Sequence, residues 1–435
     1  MLFRSRGSSG GSGTPQEITV GTGLSMSGTT LSATAGTLQQ VFRGLHLRTH
    51  PDNDSRKSKV MLVHADAIVT DNNTVVTSSL DRLVADVTVS GAGGLDTGSE
   101  GASRWYEIYF IRKSSDGTTN LLLHRAKDYL LDQSFTTVDS NTSLRYSTGA
   151  PTDKIAQSFQ PGTSGPVSFI DVLLLRAGSV SGNIWWTIEA DSGGSPSGTP
   201  LATSDKLDAS VVSTANQWVR QVFRNPATLT ASTTYWLVMQ GDYSRSDTVY
   251  LAWAGKIAGG YAGGSPKIMN SSNVWSAAPL GDYAFKTYVT QNDTAVTMPT
   301  GYTEKALIGY VRNDSGSDFR SFIQLDRRVR YQYQTIVTGF TTSALQTLQD
   351  MSSFIPPVPV RAGDWLTRQS VAGNEIDVAA ILGSGSATHV FGFYSQCKTA
   401  NDYDTVGSFA ALDYQHLYIY INSGSAELYI GGFEW

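Results

Sequence analysis

The stretch WYEIYFIRKSSDGTTNLLLH, residues 105–124, decides how the rest of the chain is read. Its residues alternate with a period of two, so Trp105, Glu107, Tyr109 and Ile111 share one strand face and Tyr106, Ile108 and Phe110 share the other. Ser115, Asp116 and Gly117 supply a turn, and the run LLLH returns as a second strand, which makes a β-hairpin. Residues 91–126 read as one part of an all-β unit and residues 296–334 as its other part, with a tryptophan-rich β block between them. A domain inserted in a loop of another is the expected organisation. Such a host holds up a guest, which suits a scaffold with a binding module better than an enzyme built around one cleft.

The guest is expected over residues 140–294. It opens with KIAQSFQ (154–160) and continues with VSFIDVLLLRAG (167–178), NIWWTIEAD (183–191), NQWVRQVFR (216–224), TTYWLVMQG (233–241), TVYLAWAG (248–255) and YAFKTYVTQ (283–291). Turn tracts such as GGSPSGTP (193–200) separate these runs. Short strands with regular turns predict a β-sandwich or jelly roll. If its first and last strands pair, its ends lie close together, as insertion into a hairpin loop requires.

The flanks read as an extended N-terminal segment, residues 1–40, and a split host domain, residues 41–135 and 295–435. Within the first, GSSGGSG (7–13) is a flexible tract, and ITVGTGLSMSGTTLSATAG (18–36) either wraps against identical copies, docks on a partner, or is a disordered tail. The run ALQTLQDM (344–351), ahead of Pro356 and Pro357, reads as a helix, although a strand fits the same residues. HLYIYI–NSGS–AELYIGGF (416–433) reads as a closing hairpin.

Composition excludes several functions. The chain has 435 residues, enough for about three domains at roughly 100–200 residues each. Charged residues make up 16%, below the roughly 25% of an average soluble protein, so the surface is mostly Ser, Thr, Asn and Gly. A net charge of -5 offers no basic stripe for nucleic acid and no polybasic patch for an anionic membrane. Cys397 is the one cysteine, so neither an intrachain disulfide nor a cysteine metal cluster can form. No run approaches the ~20 apolar residues of a membrane span. Arg4 and Arg6 lead into Gly and Ser without an apolar run, so no signal peptide is expected. No cofactor is expected either.

GLDTGSE (94–100) and WYEIYFI (105–111), taken with PTGYTEKALIGYVRNDSGSDF (299–319), resemble a β domain common in tail and fibre proteins of tailed bacteriophages. In that family the two halves usually follow one another closely, so the residues between them here point to an insertion. ITVGTGLSMSGTTLS looks like the Gly/Ser/Thr-rich stretches near the start of such fibres. The guest, with IAQSF, FIDVLLLR and TYWLVM, is similar to carbohydrate-binding-like β-sandwich domains. The resemblance implies a homotrimeric, non-enzymatic virion protein assembled in the host cytoplasm. Residues 1–40 would attach to other tail, neck or capsid proteins, and the guest would face a host surface glycan or protein. A purely structural capsid or neck part and a capsule depolymerase are the alternatives.

Sugar rings stack their C–H faces on Trp and Tyr. The binding candidates are therefore Trp253, Tyr261, Trp275 and Tyr283, in or beside Gly-rich loops, with Asp242, Tyr243 and Arg245 from the preceding loop. Trp253 and Trp275 could instead line a subunit interface. Trp218 and Trp236 are expected in the core, and so is at least one of Trp185 and Trp186, which point to opposite faces. His46 and His50 share a strand face, with His64 or Asp52 imaginable as a third ligand, but the pattern matches no zinc motif. Glu189 and Asp191 share a face as a glycosidase pair would, and read as a polar strand end. Gly-x-Ser-x-Gly around Ser9 lacks the strand and helix of a nucleophile elbow. No metal site and no catalytic residue are assigned.

Overall fold

The computed structural model of the chain describes residues 24–27, 30–33, 42–51, 58–144, 152–258, 260–369, 375–379, 392–396, 403–406, 410–412 and 415–435. Nearly every element in them is a β-strand; a 3-10 turn, Ala209–Val211, is the exception. Trp105–Arg112 and Thr119–Arg125 form the expected hairpin, with Phe110 opposite Leu121 and Ile108 opposite Leu123. Gly117 in its turn has φ +77°, left-handed backbone that glycine adopts freely, and the Asp116 carboxylate accepts a 2.8 Å hydrogen bond from the Thr118 amide. The other edge of Trp105–Arg112 pairs antiparallel with Glu304–Arg312, placing Tyr310 opposite Glu107. A bulge falls between Leu307 and Gly309, where a Cβ would lie 2.5 Å from the Gln324 side-chain oxygen. Glycine there lets the buried Gln324 amide reach the Ile308 carbonyl at 2.7 Å.

Tyr106, Ile108 and Phe110 point into a core shared with Leu47, Leu62, Phe319, Trp365 and Phe433. Residues from before and after the tryptophan-rich block thus fill one interior, each contributing about 1.5–3 kcal/mol on full burial. A larger sheet closes it. There Arg328–Asp350 runs beside His416–Glu434, followed by Phe322–Leu325, His46–Thr49, Lys59–His64 and Leu83–Asp86. Two expectations are corrected in this sheet. Residues 344–351 are not helical: up to Asp350 they belong to a strand, with Leu348 opposite Tyr418. Residues 416–433 are one continuous strand rather than a hairpin. The reason is the same for both, since each strand offers the other a ladder that satisfies its backbone groups without a turn or a helix. Before this body, Leu24–Ser27 pairs with Thr30–Ala33; the rest of residues 1–40, like Asp52, Cys397 and the tract around Ser9, lies outside the described residues.

Residues 128–291 build two further sheets packed face to face as a β-sandwich. In one, Gly165–Ala177 pairs with Gln217–Val222, Tyr250–Lys256 and Phe285–Gln291. The other runs Pro196–Thr203, Asn183–Asp191, Tyr235–Gly241, Lys154–Phe159, Pro266–Met269 and Trp275–Ala277. Val172, Leu174 and Phe285 meet Phe159, Trp186, Leu237 and Met239 in the core between them. A bulge between Val167 and Phe169 shifts the phase, so Val167 and then Ile170, Val172 and Leu174 point inward. A strand ahead of residue 140 also joins the first of these sheets. Asp128–Phe135 pairs with Phe285–Gln291, and Asp128 sits opposite Gln291. It is an edge strand, and Phe135 is the one side chain in it that is buried.

Residues 292–303 then cross the outer face of the hairpin, where Val296 and Met298 pack against Ile111, Leu122 and Tyr302. A latch holds this crossing down. His124 Nδ1 lies 2.7 Å from the Asp96 carboxylate and Nε2 lies 3.0 Å from the Thr294 carbonyl. Both partners are acceptors, so both ring nitrogens donate only when the ring is an imidazolium. Asp96 also accepts the Thr297 amide at 2.9 Å. Burial alone would lower the His124 pKa, but the hydrogen bond and charge of Asp96 outweigh it and raise the value above 6.5. Burial likewise pushes Asp96 up, and His124 and the Thr297 amide pull it below 3.8. A raised histidine stabilises the fold below its unfolded pKa and loses that contribution as pH rises through the folded value. A depressed aspartate contributes above its unfolded pKa and loses it on acidification. Stability measured by urea unfolding is therefore expected to fall as pH rises above about 6.5. The His124→Gln variant is expected to lack that slope; an identical slope in the variant would assign it to another group.

Candidate functional site

Several expected binding residues turn out to be structural. Trp253 and Tyr283 are each 0% exposed and stack on one another at 5.1 Å inside the sandwich core. Trp253 is on a strand, Tyr250–Lys256, whose Leu251 and Trp253 face inward, so the neighbouring glycines do not make it a loop residue. Tyr243 is also buried, donating its hydroxyl to the Leu144 carbonyl at 2.8 Å and accepting the Leu251 amide at 2.9 Å. These three are corrected to core positions with no face for a ligand. Tyr261 is half-buried at the other end of the block, edge-on to Phe285, with its hydroxyl donating to Gln133 at 2.8 Å. Trp236 and Trp186 are buried as expected, whereas Trp218 is half-buried on the opposite outer face, with the Lys286 ammonium 4.5 Å from its ring.

The remaining candidates converge on the outer face of the sheet that carries Trp275. Trp185 pairs with Gln240, Lys154 with Met269, and Met269 with Trp275. Their strand neighbours Trp186, Met239 and Ile155 point into the core, so these residues share the outer side. With Ile155 opposite Met239, Lys154 follows next to Gln240, and the five make one row across five strands. Four spacings of ~4.8 Å separate the two tryptophans by about 19 Å along it. Both tryptophans are half-exposed. Trp275 rests on Ala156, Trp236 and Val238.

Polar groups frame the row. Lys206 places its ammonium 4.5 Å over the Trp185 ring and 2.9 Å from Asp242, which also accepts the Asn183 amide at 2.6 Å. Lys206, and then the Asn183 amide, hold the Asp242 carboxyl below the usual range. Arg245 donates to the Thr152 and Asp153 carbonyls at 3.2 and 3.1 Å and to Gly241 at 3.3 Å, which clamps the start of Lys154–Phe159. The structure thus brings Trp275, Asp242 and Arg245 to one end of the sandwich and adds Trp185, Gln240 and Lys154. The signal for Trp185 was present in the sequence: if Trp186 faces the core, its neighbour faces out. Apolar surface beside donors and acceptors is what a sugar chain recognises.

The carboxylates of the same face serve the fold. Glu189 accepts from Thr187 at 2.9 Å and from the Gly198 amide at 2.7 Å, and Asp191 accepts from the Trp236 indole at 2.8 Å. Both anchor the tract that folds over the sheet at 192–198. Asp205 pairs with Arg224, and Asp208 accepts the Ser210 amide of the 3-10 turn. His46 sits opposite His64, which is 2.6 Å from Asp81 and 3.2 Å from Asp66. Among the described residues no group of three such side chains is arranged to hold a metal ion, and no helix is long and apolar enough to cross a membrane. No family model matches the sequence, and no curated protein matches it.

Proposed function

We propose that this chain is a non-enzymatic bacteriophage virion protein, a homotrimeric tail-fibre or adsorption component that presents a glycan-binding sandwich to the host surface. Residues 41–127 and 292–435 act as the carrier, residues 128–291 as the displayed module, and residues 1–40 as the attachment to other virion proteins. The observation that carries the reading is the row from Trp185 to Trp275, with Gln240 and Lys154 between two half-exposed indoles. The carrier role is supported by the pairing of Trp105–Arg112 with Glu304–Arg312, which brings the ends of the module together. Three copies per particle work by avidity, so a single site as weak as ~1 mM, or about −4 kcal/mol, suffices.

The test uses purified full-length protein on arrays of bacterial surface glycans. Trp185→Ala and Trp275→Ala are each expected to weaken binding roughly tenfold, about 1.4 kcal/mol, in variants that circular dichroism finds folded. Light scattering on the same preparation should give the mass of three chains. Binding indifferent to both tryptophans, or a monomeric mass, would overturn the reading. Arrays blank for the unaltered protein would favour a structural virion part.

A further inference from the structure

A small, partly open pocket lies in the carrier, away from the sandwich row and independent of its function. It is lined by Trp105, Phe322, Tyr331 and Phe433 together with two arginines, Arg312 and Arg320. Arg312 ends the strand Glu304–Arg312 and is 8% exposed. Its Nη1 donates to the Asn313 carbonyl at 2.9 Å and its Nη2 to the Ser353 hydroxyl at 3.1 Å. Its buried Nε–H has no hydrogen-bond partner among the described residues. Arg320 reaches the same turn, donating to the Ser353 carbonyl at 2.5 Å.

The buried Arg312 guanidinium, with the half-buried Arg320 near it, requires compensation. Among the described residues no carboxylate lies within salt-bridge distance of either. The nearby acids are engaged elsewhere: Asp128 with Arg104, Asp350 with the amide and hydroxyl of Ser352, and Asp314 with the Gly316 and Asp318 amides. Burial first, and then the charge of Arg320, pushes the Arg312 pKa down to about 10. Burial also lowers Arg320. Burying a charge without a counter-charge is unfavourable, and an orphaned donor adds to that cost. The space is partly open and admits about one water-sized sphere. That is room for a single small anion rather than for a whole sugar acid.

We propose that this pocket binds one monovalent anion of halide size, held between Arg312 and Arg320 with the Nε–H of Arg312 as a donor. The ion neutralises the pair and, through Ser353, fastens the turn at 351–355 to the end of Glu304–Arg312. The Trp105 indole and Tyr331 hydroxyl, which donate to the Ser352 and Phe354 carbonyls at 2.8 and 2.7 Å, fix the same turn from the other side. Chloride is the natural occupant of such a site.

The test compares melting of full-length protein in sodium chloride and in sodium gluconate at equal ionic strength, since gluconate is far larger than this space. Chloride and bromide are expected to raise the melting temperature by about 2–4 °C in a saturable way. The chloride NMR line should broaden on adding protein, and bromide should reverse the broadening. Arg312→Met should abolish both responses. If that variant does not fold, Arg320→Gln reads the same two responses. Equal melting in both salts with an unbroadened line would overturn the proposal, as would halide responses that survive the substitution that folds.

Discussion

Asp171→Asn is expected to destabilise the protein by about 3–5 kcal/mol, the regime of a broken buried ion pair. Asp171 is on the outer face of its strand, because Ile170 and Val172 on either side point into the sandwich core. An ion pair on an uncovered outer face would be solvated and worth at most about 1 kcal/mol. Here the ribbon of Arg328–Asp350 and His416–Glu434 lies over it, with Tyr418 and Leu348 packed onto the sandwich. The side chains of Asp171 and Arg220 are left 1% and 3% exposed. The guanidinium forks onto the carboxylate, Nε at 2.7 Å from one oxygen and Nη2 at 2.9 Å from the other, and the Tyr288 hydroxyl donates to the second oxygen at 2.9 Å. The Phe169 and Tyr288 rings flank the cation at 4.1 and 4.9 Å. Removing one charge strands the other in this enclosure. Removing both, as in Asp171→Leu with Arg220→Met, should cost less than the sum of the single changes. Urea unfolding of the four proteins measures the coupling. Additive single effects, each below about 1 kcal/mol, would mean a solvated pair and a ribbon that does not cover it.

This pair shows what a linear reading can and cannot reach. The strands of the sandwich were legible because each apolar run is bounded by Gly, Ser or Pro, and local chemistry marks both ends. The Trp105–Thr119 region was legible as a hairpin because Asp116 and Gly117 set its turn. Whether Asp171 is solvated depends on a ribbon contributed by residues far along the chain, and no periodicity reports that. The same limit explains the sites. Trp253 looked accessible among glycines, yet strand parity and Tyr283 place it inside. Trp275 and Trp185 come into one row only through the strand order, since Trp275–Ala277 and Asn183–Asp191 are separated by three other strands in the sheet. The helical reading of 344–351 failed because propensity is a weak prior and a ready partner strand overrides it.

Excising residues 128–291 and joining Lys127 to Asn292 through a two- to four-residue turn should leave a carrier that still unfolds in one cooperative transition. The geometry permits the closure. Asp128 and Gln291 are directly opposite in an antiparallel pair, so their Cα atoms are about 5 Å apart and the new turn replaces a ladder rung. The core that matters, around Tyr106, Ile108, Phe110 and Phe433, takes none of its residues from the excised block. The losses are definable. Arg104 loses its partner Asp128, and Tyr418 and Leu348 lose the surface they pack on. Baring one buried aromatic and one partly buried aliphatic side chain costs about 2–4 kcal/mol, which lowers the midpoint without removing the transition. The His124 latch stays, because Asp96, Thr294 and Thr297 all remain in the shortened chain. The converse fragment, residues 127–292, carries a two-sheet core that lacks only the Tyr418 and Leu348 contacts and should also melt cooperatively. Substituting Tyr418→Ser in the shortened chain would remove the newly bared aromatic surface and keep it soluble. A shortened carrier with no cooperative transition by circular dichroism, in the presence of that substitution, would mean that the two cores fold as one unit and that the block between the paired strands is not a guest.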